Sequence, residues 1–365
     1  MVRLMVVSRA AESVAKVRLL YCNSHYMEQP RLKLGYKASA EQFGPVELLR
    51  FTEEAERRGF DSVFISDHLQ PWRHTDGHAP NVLAWLGAAG ASTSRIVLGT
   101  SVLTPTFRYH PVIVAQAFAT LGVMFPGRIV LGVGTGEHLN EGPLGLEWPE
   151  LSERFARLRE AIALIKRLWS EELVVHESVY YKVQNATIYD RPPQPIPIYV
   201  AASGPQTAKY AGRVADGFIC TSGKGMDLYR DSLLPALAEG ELAAGREQGA
   251  AERMIEMKVS YSHDPDRALA DTRIWAALAL PAEAKAGIND PREMEKRANE
   301  VADQAHRRWL VASDPKTHLD QIQPYLDLGF NHLVFHAPGD DQMEFLRLYG
   351  EEILPRLRAR EGAPV

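Results

Sequence analysis

Cysteine and long apolar runs are both scarce in this sequence, and each scarcity excludes a class of protein. Only two cysteines occur, Cys22 and Cys220, so we expect neither a disulfide framework nor a CxxC-type metal site, and a cytoplasmic compartment is favoured. No apolar run approaches the roughly 18 residues that a membrane span needs. Lys and Arg number 41 against 46 Asp and Glu, and the net charge of −5 does not favour a nucleic-acid or membrane partner.

The first 31 residues differ in character from the rest of the chain. They are basic between Arg3 and Arg18, and they lack the apolar core and cleavage site of a signal peptide. Two interpretations stay open: a disordered N-terminal arm, or an upstream start ahead of a true initiator at Met27. We favour the second, because the first strand-like pattern begins shortly after Met27. The catalytic domain is therefore expected over residues 32–360.

Short runs of apolar and β-branched residues recur along this domain and end in Gly, Ser, Thr or a charge. Amphipathic stretches with a 3.6-residue period, such as 45–59 and 151–169, lie between them. Eight such units predict a (β/α)8 barrel, whose strands are buried on both faces. An open doubly wound sheet is the alternative, but no phosphate-binding Gly turn follows the first run. The runs span residues 32–38, 61–69, 95–104, 128–137, 197–204, 216–223, 254–262 and 331–339.

Two connections between the predicted units are long, one after the fourth strand and one after the seventh. Residues 170–196 contain a stretch that predicts a small hairpin, followed by the rigid segment RPPQPIP. Residues 263–330 contain Ala-rich and charge-rich helical stretches. Insertions between barrel units commonly become lids or substrate-binding loops, and we expect that role for both.

The active site of such a barrel lies at the carboxyl ends of its strands, and this rule selects the candidate residues. Carboxylates, a histidine and a lysine are brought to one mouth in this way. Asp67 directly precedes His68, but successive side chains of a strand point to opposite faces, so we do not predict an Asp67–His68 pair. The selected positions are Glu41, Asp67, His68, 101–104, 135–137, 202–204 and 221–224.

The segment LGVGTGEHLN at 131–140 is a weak match to a dinucleotide-binding fingerprint, because no acidic residue follows it at the required interval. It is either a tight turn at the barrel mouth or bare backbone against which a cofactor ring lies, with Glu137 at the rim. A glutamate that faces a largely apolar cofactor can have a raised pKa and act as a proton donor.

Three cations lie in loops near the last strands. Lys224 follows the sixth strand, and Lys285 and Arg308 lie in the insertion after the seventh. Each, considered singly, is typical of a solvated surface charge. Together they can form a phosphate pocket, since barrels commonly bind phosphate near their last strands. The residues alone leave both interpretations open.

Several motifs, taken together, resemble a known family. They are KLGYKASAEQF, SDHLQPWRH, LGTSVLTPTFRY, LGVGTGEHLNE, RPPQPIPIYVAASGP, KYAGRVADGFICTSGKG and NHLVFHAPG. They are similar to motifs of the bacterial-luciferase-like superfamily and, within it, of the coenzyme F420-dependent glucose-6-phosphate dehydrogenases. The likeness covers about residues 32–358, and SDHLQPWRH and TSGKG are the motifs most specific to this branch.

The resemblance implies hydride transfer from C1 of glucose 6-phosphate to the deazaflavin ring of F420, without a metal. His68 would deprotonate the C1 hydroxyl or stabilise its alkoxide, and Glu137 would protonate the ring at N1 or balance its charge. Trp72 and Glu41 would line the sugar site. The residues implied for the phosphate are Thr221, Lys224, Lys285 and Arg308. Those implied for F420 are Asp67, Ser101, Val102, Thr104, Gly136, Asn140, Ala202, Ser203 and Gly204.

The resemblance further implies a homodimer and a non-proline cis peptide between Ser101 and Val102. Two positions depart from the family pattern. Ala286 follows Lys285 where relatives carry a histidine, so other hexose phosphates are also expected as substrates. Ser203 stands where a glycine would leave more room beside the cofactor. Neither departure removes a residue that the chemistry requires.

Other functions on the same barrel remain as alternatives. An F420-dependent dehydrogenase of another sugar phosphate or alcohol is one, and an FMN-dependent monooxygenase is another, although an aldehyde site has no use for Lys224, Lys285 and Arg308. A barrel that binds its ligands without turnover is disfavoured by the presence of His68 and Glu137. An aldolase-like lyase would need a desolvated Lys224, whereas a Gly-flanked loop indicates exposure.

Overall fold

The computed structural model describes residues 31–361. The two interpretations of residues 1–31 therefore concern a segment that, but for Arg31, lies outside the described residues. No helix within residues 31–361 is long and apolar enough to cross a membrane.

Eight parallel strands close into a barrel, as the sequence predicts. Each strand pairs with the next barrel strand along the chain, and the last, β11, returns to β1. The barrel strands are β1 (Lys33–Ala38), β2 (Ser62–Ile65), β3 (Val97–Thr100), β4 (Ile129–Val133), β7 (Ile198–Ala201), β8 (Gly217–Thr221), β9 (Glu252–Tyr261) and β11 (His332–His336).

Both long connections carry strands of their own. After β4, an antiparallel hairpin of β5 (Val174–Glu177) and β6 (Lys182–Ala186) confirms the predicted hairpin. After β9, a short parallel strand β10 (Leu310–Ala312) pairs with the end of β9, which the sequence analysis did not predict. Strand β10 is only three residues long, too short for a pattern in apolar residues to reveal it.

Helices surround the barrel and cover its outer face. Several begin with proline at the first or second position after a polar capping residue; for example, the Asp314 carboxylate accepts a hydrogen bond from the Thr317 N–H at 2.9 Å. The helices of ten or more residues are Pro45–Arg57, Val82–Ser92, Pro111–Met124, Leu151–Ser170, Pro205–Val214, Leu234–Ala243 and Pro315–Asp327, and Leu354–Glu361 has eight residues. The other helical segments are His138–Glu141, Gly142–Leu144, Leu228–Leu233, Pro265–Ala270, Asp271–Ala279, Ala282–Lys285, Pro291–Asn299, Ala302–Arg308, Gln342–Leu348 and Tyr349–Ile353.

The interior of the barrel changes from apolar to polar along the strands. Because side chains alternate between faces, residues two apart on a strand both point inward. The lower inward layer is apolar and consists of Phe64, Val130, Tyr199, Ile219, Met254 and Val334. Two residues further along the same strands come Ser66, Gly132, Ala201, Thr221, Glu256 and His336. The barrel is therefore filled at its amino end and polar at its carboxyl end, where the active site of this fold lies.

At the amino end of the barrel, Glu252 joins β9 to the two neighbouring strands β11 and β1. Its Oε1 lies 2.5 Å from Nδ1 of His332, and its Oε2 accepts a hydrogen bond from Lys33. Burial alone would raise the pKa of Glu252, but His332 and Lys33 lower it to about 2. A carboxylate with a depressed pKa stabilises the fold above its unfolded pKa, and this contribution disappears as the pH falls toward the folded value.

We therefore expect Glu252→Gln to lower the free energy of unfolding at pH 7 by up to about 3 kcal/mol. The difference from the parent should shrink between about pH 5 and pH 2, because both proteins then carry a neutral side chain. Urea unfolding across this range measures it, with the exposed Glu239→Gln as a control. A difference that stays constant with pH would mean that packing, not charge, is lost.

Candidate active site

A cavity of about 460 Å3 opens at the carboxyl ends of the barrel strands. Every residue predicted for the site lines it, with the exception of Gly204. Gly204 instead precedes Pro205 at the start of the helix Pro205–Val214. The cavity thus brings together residues from all eight barrel units and from the insertion after β9.

Each ring nitrogen of His68 has polar neighbours. Its Nε2 lies 3.1 Å from Oε1 of Glu41, and its Nδ1 lies 3.0 Å from the carbonyl oxygen of Gln70. Asn140 holds this loop, because its Oδ1 accepts from the Leu69 N–H at 2.8 Å and its Nδ2 is 3.3 Å from the His68 Nδ1. The histidine is therefore oriented on one side by backbone and amide groups and on the other by a carboxylate.

Glu41 is the partner of His68, a role that the sequence analysis did not assign. Its Oε2 accepts a hydrogen bond from Ser66 Oγ at 2.6 Å, so both carboxylate oxygens are engaged. Burial alone would raise the pKa of Glu41, but His68, Lys37 and the Ser66 hydrogen bond lower it below its usual value. An ionised carboxylate beside His68 stabilises the imidazolium that forms when the histidine takes up a proton.

Asp67 makes its contacts elsewhere, as predicted from the alternation of strand side chains. Its Oδ2 lies 2.7 Å from Nη2 of Arg108, and Tyr109 donates a hydrogen bond to its Oδ1 at 3.3 Å. Arg108 also contacts Glu141, whose Oε2 accepts a hydrogen bond from the backbone N–H of Arg108 at 3.0 Å. The sequence analysis did not single out Arg108 or Glu141, although both lie within quoted motifs.

The Gly-rich segment after β4 forms one wall of the cavity with almost no side chains. Gly136 has a φ of +80°, and a Cβ there would lie 2.9 Å from Cγ2 of Thr104. A Cβ at Gly134 would lie 2.7 Å from Cγ2 of Val102. The peptide bond between Ser101 and Val102 is cis, as the resemblance predicts. Bare backbone therefore faces the cavity along this wall.

Glu137 follows this wall. Its side chain is exposed to the cavity, and protein atoms surround it on the other sides. Burial raises the pKa of its carboxyl group, and Glu41 adds to the increase, whereas His68 and Lys285 oppose it. The sequence analysis expected a raised pKa from contact with a largely apolar cofactor, and that contact stays a prediction. A carboxyl group with a raised pKa holds its proton to higher pH than an ordinary glutamate and is suited to donate it.

The three predicted cations converge on the opposite rim. Within residues 31–361, none of Lys224, Lys285 and Arg308 forms an ion pair with a carboxylate, and the buried Nε of Arg308 has no hydrogen-bond acceptor. Lys285 Nζ lies 5.4 Å from the ring centre of Trp72, which in turn lies 6.0 Å from the ring of His68.

A close backbone approach brings the first and last of these cations together. Gly223 has a φ of +75°, and a Cβ there would lie 2.4 Å from the carbonyl oxygen of Arg308. Only glycine fits this position, which explains why Lys224 sits in the sequence TSGKG. Burial and the charge of Arg308 lower the pKa of Lys224. Cations that crowd one another and form no ion pair are suited to bind an anion.

Besides Glu141, the sequence analysis missed four charged residues or histidines of the cavity: Lys37, Glu256, Lys258 and His336. All four are buried and lie on strands β1, β9 and β11. Each interrupts an apolar strand at an inward-facing position, as in MIEMKVSYS. A polar residue at alternate positions of an otherwise apolar strand is the signal that could have identified them.

Within the described part of the chain, no three His, Cys, Asp or Glu side chains gather as a metal site. Cys220, on β8, is a free and buried thiol whose pKa is raised by burial, so it is not poised as a nucleophile.

The closed barrel and its side-chain-poor wall define the class of protein. The family model described as luciferase-like monooxygenase matches residues 25–332, and the chain belongs to this family.

Individual relatives indicate a narrower group within this family. The chain is 63% identical over 337 residues to an F420-dependent glucose-6-phosphate dehydrogenase of Nakamurella multipartita, covering 92% of this chain and 99% of that relative. It is 62% identical over 331 residues to the protein of the same name from Beutenbergia cavernae, covering 90% and 98%. A solved structure of an F420-dependent secondary alcohol dehydrogenase, in complex with an F420-acetone adduct, matches with a TM-score of 0.84 at 32% identity, covering 88% of this chain and 98% of that one.

Proposed function

We propose that this protein is a coenzyme F420-dependent glucose-6-phosphate dehydrogenase, which oxidises glucose 6-phosphate to 6-phosphogluconolactone and reduces F420. The observation that carries the proposal is the composition of one cavity. A histidine–carboxylate pair, His68 and Glu41, shares it with a cluster of cations that have no counter-ions. The named relatives, about 60% identical over nine-tenths of the chain, are enzymes of this activity.

The residues present fit a deazaflavin. A planar ring needs a flat wall, and Gly134 and Gly136 provide one, because they carry no side chain and their backbone packs so closely on Val102 and Thr104 that a Cβ would collide with them. We propose that the polar edge of the ring is held by the predicted cofactor contacts around this wall, including Asp67 and Asn140. Bound F420 supplies the ring carbon that accepts the hydride. All remaining chemistry falls to side chains of this protein.

The proton chemistry is divided between two sides of the cavity. His68 takes the proton of the sugar C1 hydroxyl at Nε2, while its Nδ1–H stays hydrogen-bonded to the Gln70 carbonyl; Glu41, 3.1 Å from Nε2, stabilises the resulting imidazolium. Glu137, whose pKa is raised, holds a proton that it can donate on the cofactor side. Trp72 closes the sugar site between His68 and Lys285. The opposite directions of the pKa shifts at Glu41 and Glu137 support one role for each carboxyl group.

The phosphate of the substrate is assigned to Thr221, Lys224, Lys285 and Arg308. Charge-assisted hydrogen bonds to phosphate are the strong ones, and an arginine can donate two in parallel. This set favours a sugar phosphate over an unphosphorylated alcohol. It also argues against the long-chain aldehyde of a monooxygenase. The Lys224 side chain remains exposed to solvent, although partial burial and Arg308 lower its pKa, whereas a Schiff-base lysine needs a desolvated site.

The proposal is tested by mixing the protein with oxidised F420 and glucose 6-phosphate and following the loss of the visible absorbance of the deazaflavin. We expect a loss that depends on both reactants. Mannose 6-phosphate and fructose 6-phosphate, tested alongside, measure how far Ala286 widens the substrate range. An absence of change with F420, together with turnover in the presence of FMN, contradicts the proposal.

Lys224→Ala should raise KM for glucose 6-phosphate about tenfold to a hundredfold, because one charge-assisted hydrogen bond to the phosphate is lost. KM for free glucose should change less than about twofold, since glucose carries no phosphate. Steady-state kinetics with both sugars measure the ratio. The exposed Lys316→Ala serves as a control. Equal effects on the two sugars would remove Lys224 from the phosphate site.

The compartment and the assembly are also proposals. We assign the enzyme to the cytoplasm, which the low cysteine content supports, and to a homodimer, which the family resemblance supports. Light scattering coupled to size-exclusion chromatography would give a mass of about twice the 40.7 kDa of the chain for the dimer.

A further inference from the structure

The floor of the cavity holds a cluster of buried charges that the proposed chemistry does not use. Lys37, Glu256, Lys258 and His336 are each at most 8% exposed, and all four line the cavity. Such groups are costly to bury unless they are paired, so each one requires a partner. Some of the four have close partners within the cluster and others do not.

Lys37 is fully engaged. Its Nζ lies 3.0 Å from Oε2 of Glu256 and donates a hydrogen bond to the carbonyl oxygen of Ser101 at 2.6 Å. The same carboxylate oxygen also accepts from Ser101 Oγ at 3.3 Å. Glu256 is thus committed to the Lys37 side of the floor.

Lys258 is left without an equivalent partner. Its Nζ lies 3.7 Å from Oε1 of Glu256, beyond hydrogen-bond distance, and within residues 31–361 it has no hydrogen-bond acceptor. Lys37 also interacts with the carboxylates of Glu41 and Glu137, whereas the carboxylate that acts on Lys258 is Glu256, so the positive charge of Lys258 is only partly compensated. Burial lowers the pKa of Lys258 to about 8, an effect that Glu256 only partly offsets and that Arg308, Lys37 and Lys224 reinforce.

His336, next to Lys258 on the floor, also lacks hydrogen-bond partners. Both of its ring nitrogens are buried without a hydrogen-bond partner among the described residues, and Nδ1 is 3.7 Å from Glu256 Oε1. Its ring packs edge-on against Trp275 and Trp309, which fix its position. Burial lowers the pKa of His336, so its ring adds hydrogen-bonding capacity and no charge. Among the described residues, therefore, neither the Lys258 ammonium nor the His336 ring has a hydrogen-bond partner on this side of the floor.

We propose that Lys258 is a further specificity-determining residue, which binds the phosphate group of the substrate from the floor of the cavity, opposite the rim cations. The proposal rests on the proposed function for its substrate. Lys258 lies on β9, whose neighbour β8 leads to Lys224, and the charges of Lys224 and Arg308 act on it. A phosphate dianion carries enough negative charge to compensate the positive charges of Lys258 and of the neighbouring Lys224 and Arg308 together.

The test compares two variants that remove one lysine each, Lys258→Met and Lys37→Met. If the charge of Lys258 is only partly compensated until the substrate binds, Lys258→Met should raise the Tm of the unliganded protein, because a buried charge is replaced by an apolar side chain of similar length. Lys37→Met should lower the Tm, because it removes the partner of Glu256. Two decreases of similar size would identify Lys258 as part of a structural ion cluster and overturn the proposal.

Binding is measured with the F420-loaded enzyme and inorganic phosphate, a probe that cannot be oxidised. Isothermal titration should show phosphate affinity weakened about tenfold to a hundredfold in Lys258→Met, and equally in Lys258→Gln. The affinity for F420 itself should stay within about twofold, and Lys316→Met should leave both affinities unchanged. Unchanged phosphate affinity, or a matching loss of F420 affinity, overturns the proposal.

The outcome is separable from that of the proposed function. If the parent protein binds phosphate through Lys258 but does not reduce F420 with glucose 6-phosphate, the substrate assignment fails and the anion-binding role of Lys258 stands. If F420 is reduced and Lys258→Met binds phosphate as the parent does, the dehydrogenase assignment stands and the role of Lys258 fails.

Discussion

Replacing His68 with Asn is expected to lower kcat for the oxidation of glucose 6-phosphate about a thousandfold, with KM changed by no more than a few-fold. Asn keeps a polar side chain near the Gln70 carbonyl but offers no atom that takes up a proton. The loss falls on kcat because His68 acts on the hydroxyl proton in the transition state, whereas the cations of the rim bind the substrate in its ground state.

The measurement is the rate of loss of F420 absorbance at saturating glucose 6-phosphate. His74→Asn is the matched control, because His74 is an exposed histidine of the same segment and should leave the rate unchanged. Glucose 6-phosphate affinity, determined separately by titration, shows whether the site is intact. A variant that retains more than about a tenth of the parent kcat would contradict the assignment of His68 as the base.

Glu137→Gln is expected to lower kcat about a hundredfold and to change its dependence on pH. The pKa of Glu137 is raised, chiefly by burial, so in the folded enzyme this carboxyl group keeps its proton to higher pH than an ordinary glutamate. The parent rate should therefore fall on the alkaline side, as the pH rises through this raised pKa and the donor loses its proton. Gln cannot ionise, so the variant should lack this decrease.

Profiles of kcat against pH for parent and variant measure the effect, with the exposed Glu147→Gln as the control. The variant also offers a readout that is independent of activity. Because a raised pKa means that the folded state disfavours the charged carboxylate, Glu137→Gln should unfold at the same temperature as the parent or higher. If the alkaline decrease persists in the variant, another group must supply the proton.

The order of strands and helices was predictable because it depends on local patterns. Runs of apolar residues end at turn residues at regular intervals, and the strands these runs predict lie where the structure has the eight barrel strands. The rule that barrel sites lie at carboxyl ends of strands then selected His68 and Glu137. Strand β10 was not predicted, because three residues at the end of a helical insertion are too few to show a periodic pattern of apolar residues.

The pairing of side chains was not predictable, since it depends on distances between separate strands. Glu41 and His68 lie in different barrel units, and only the closed barrel brings Nε2 to 3.1 Å from the carboxylate. The same applies to Lys224 and Arg308, which meet because Gly223 allows their two segments to touch.

What the sequence determined by itself, therefore, is the barrel, the end at which its chemistry lies and the residue types present there. The tertiary structure decided which charges are paired. It gave His68 its carboxylate and left the rim cations without counter-ions. It also divided the floor between a satisfied Lys37 and an unsatisfied Lys258. The physical reason is that the energy of a charge depends on groups within a few ångströms, and those neighbours are set by the closure of the barrel and not by position along the chain.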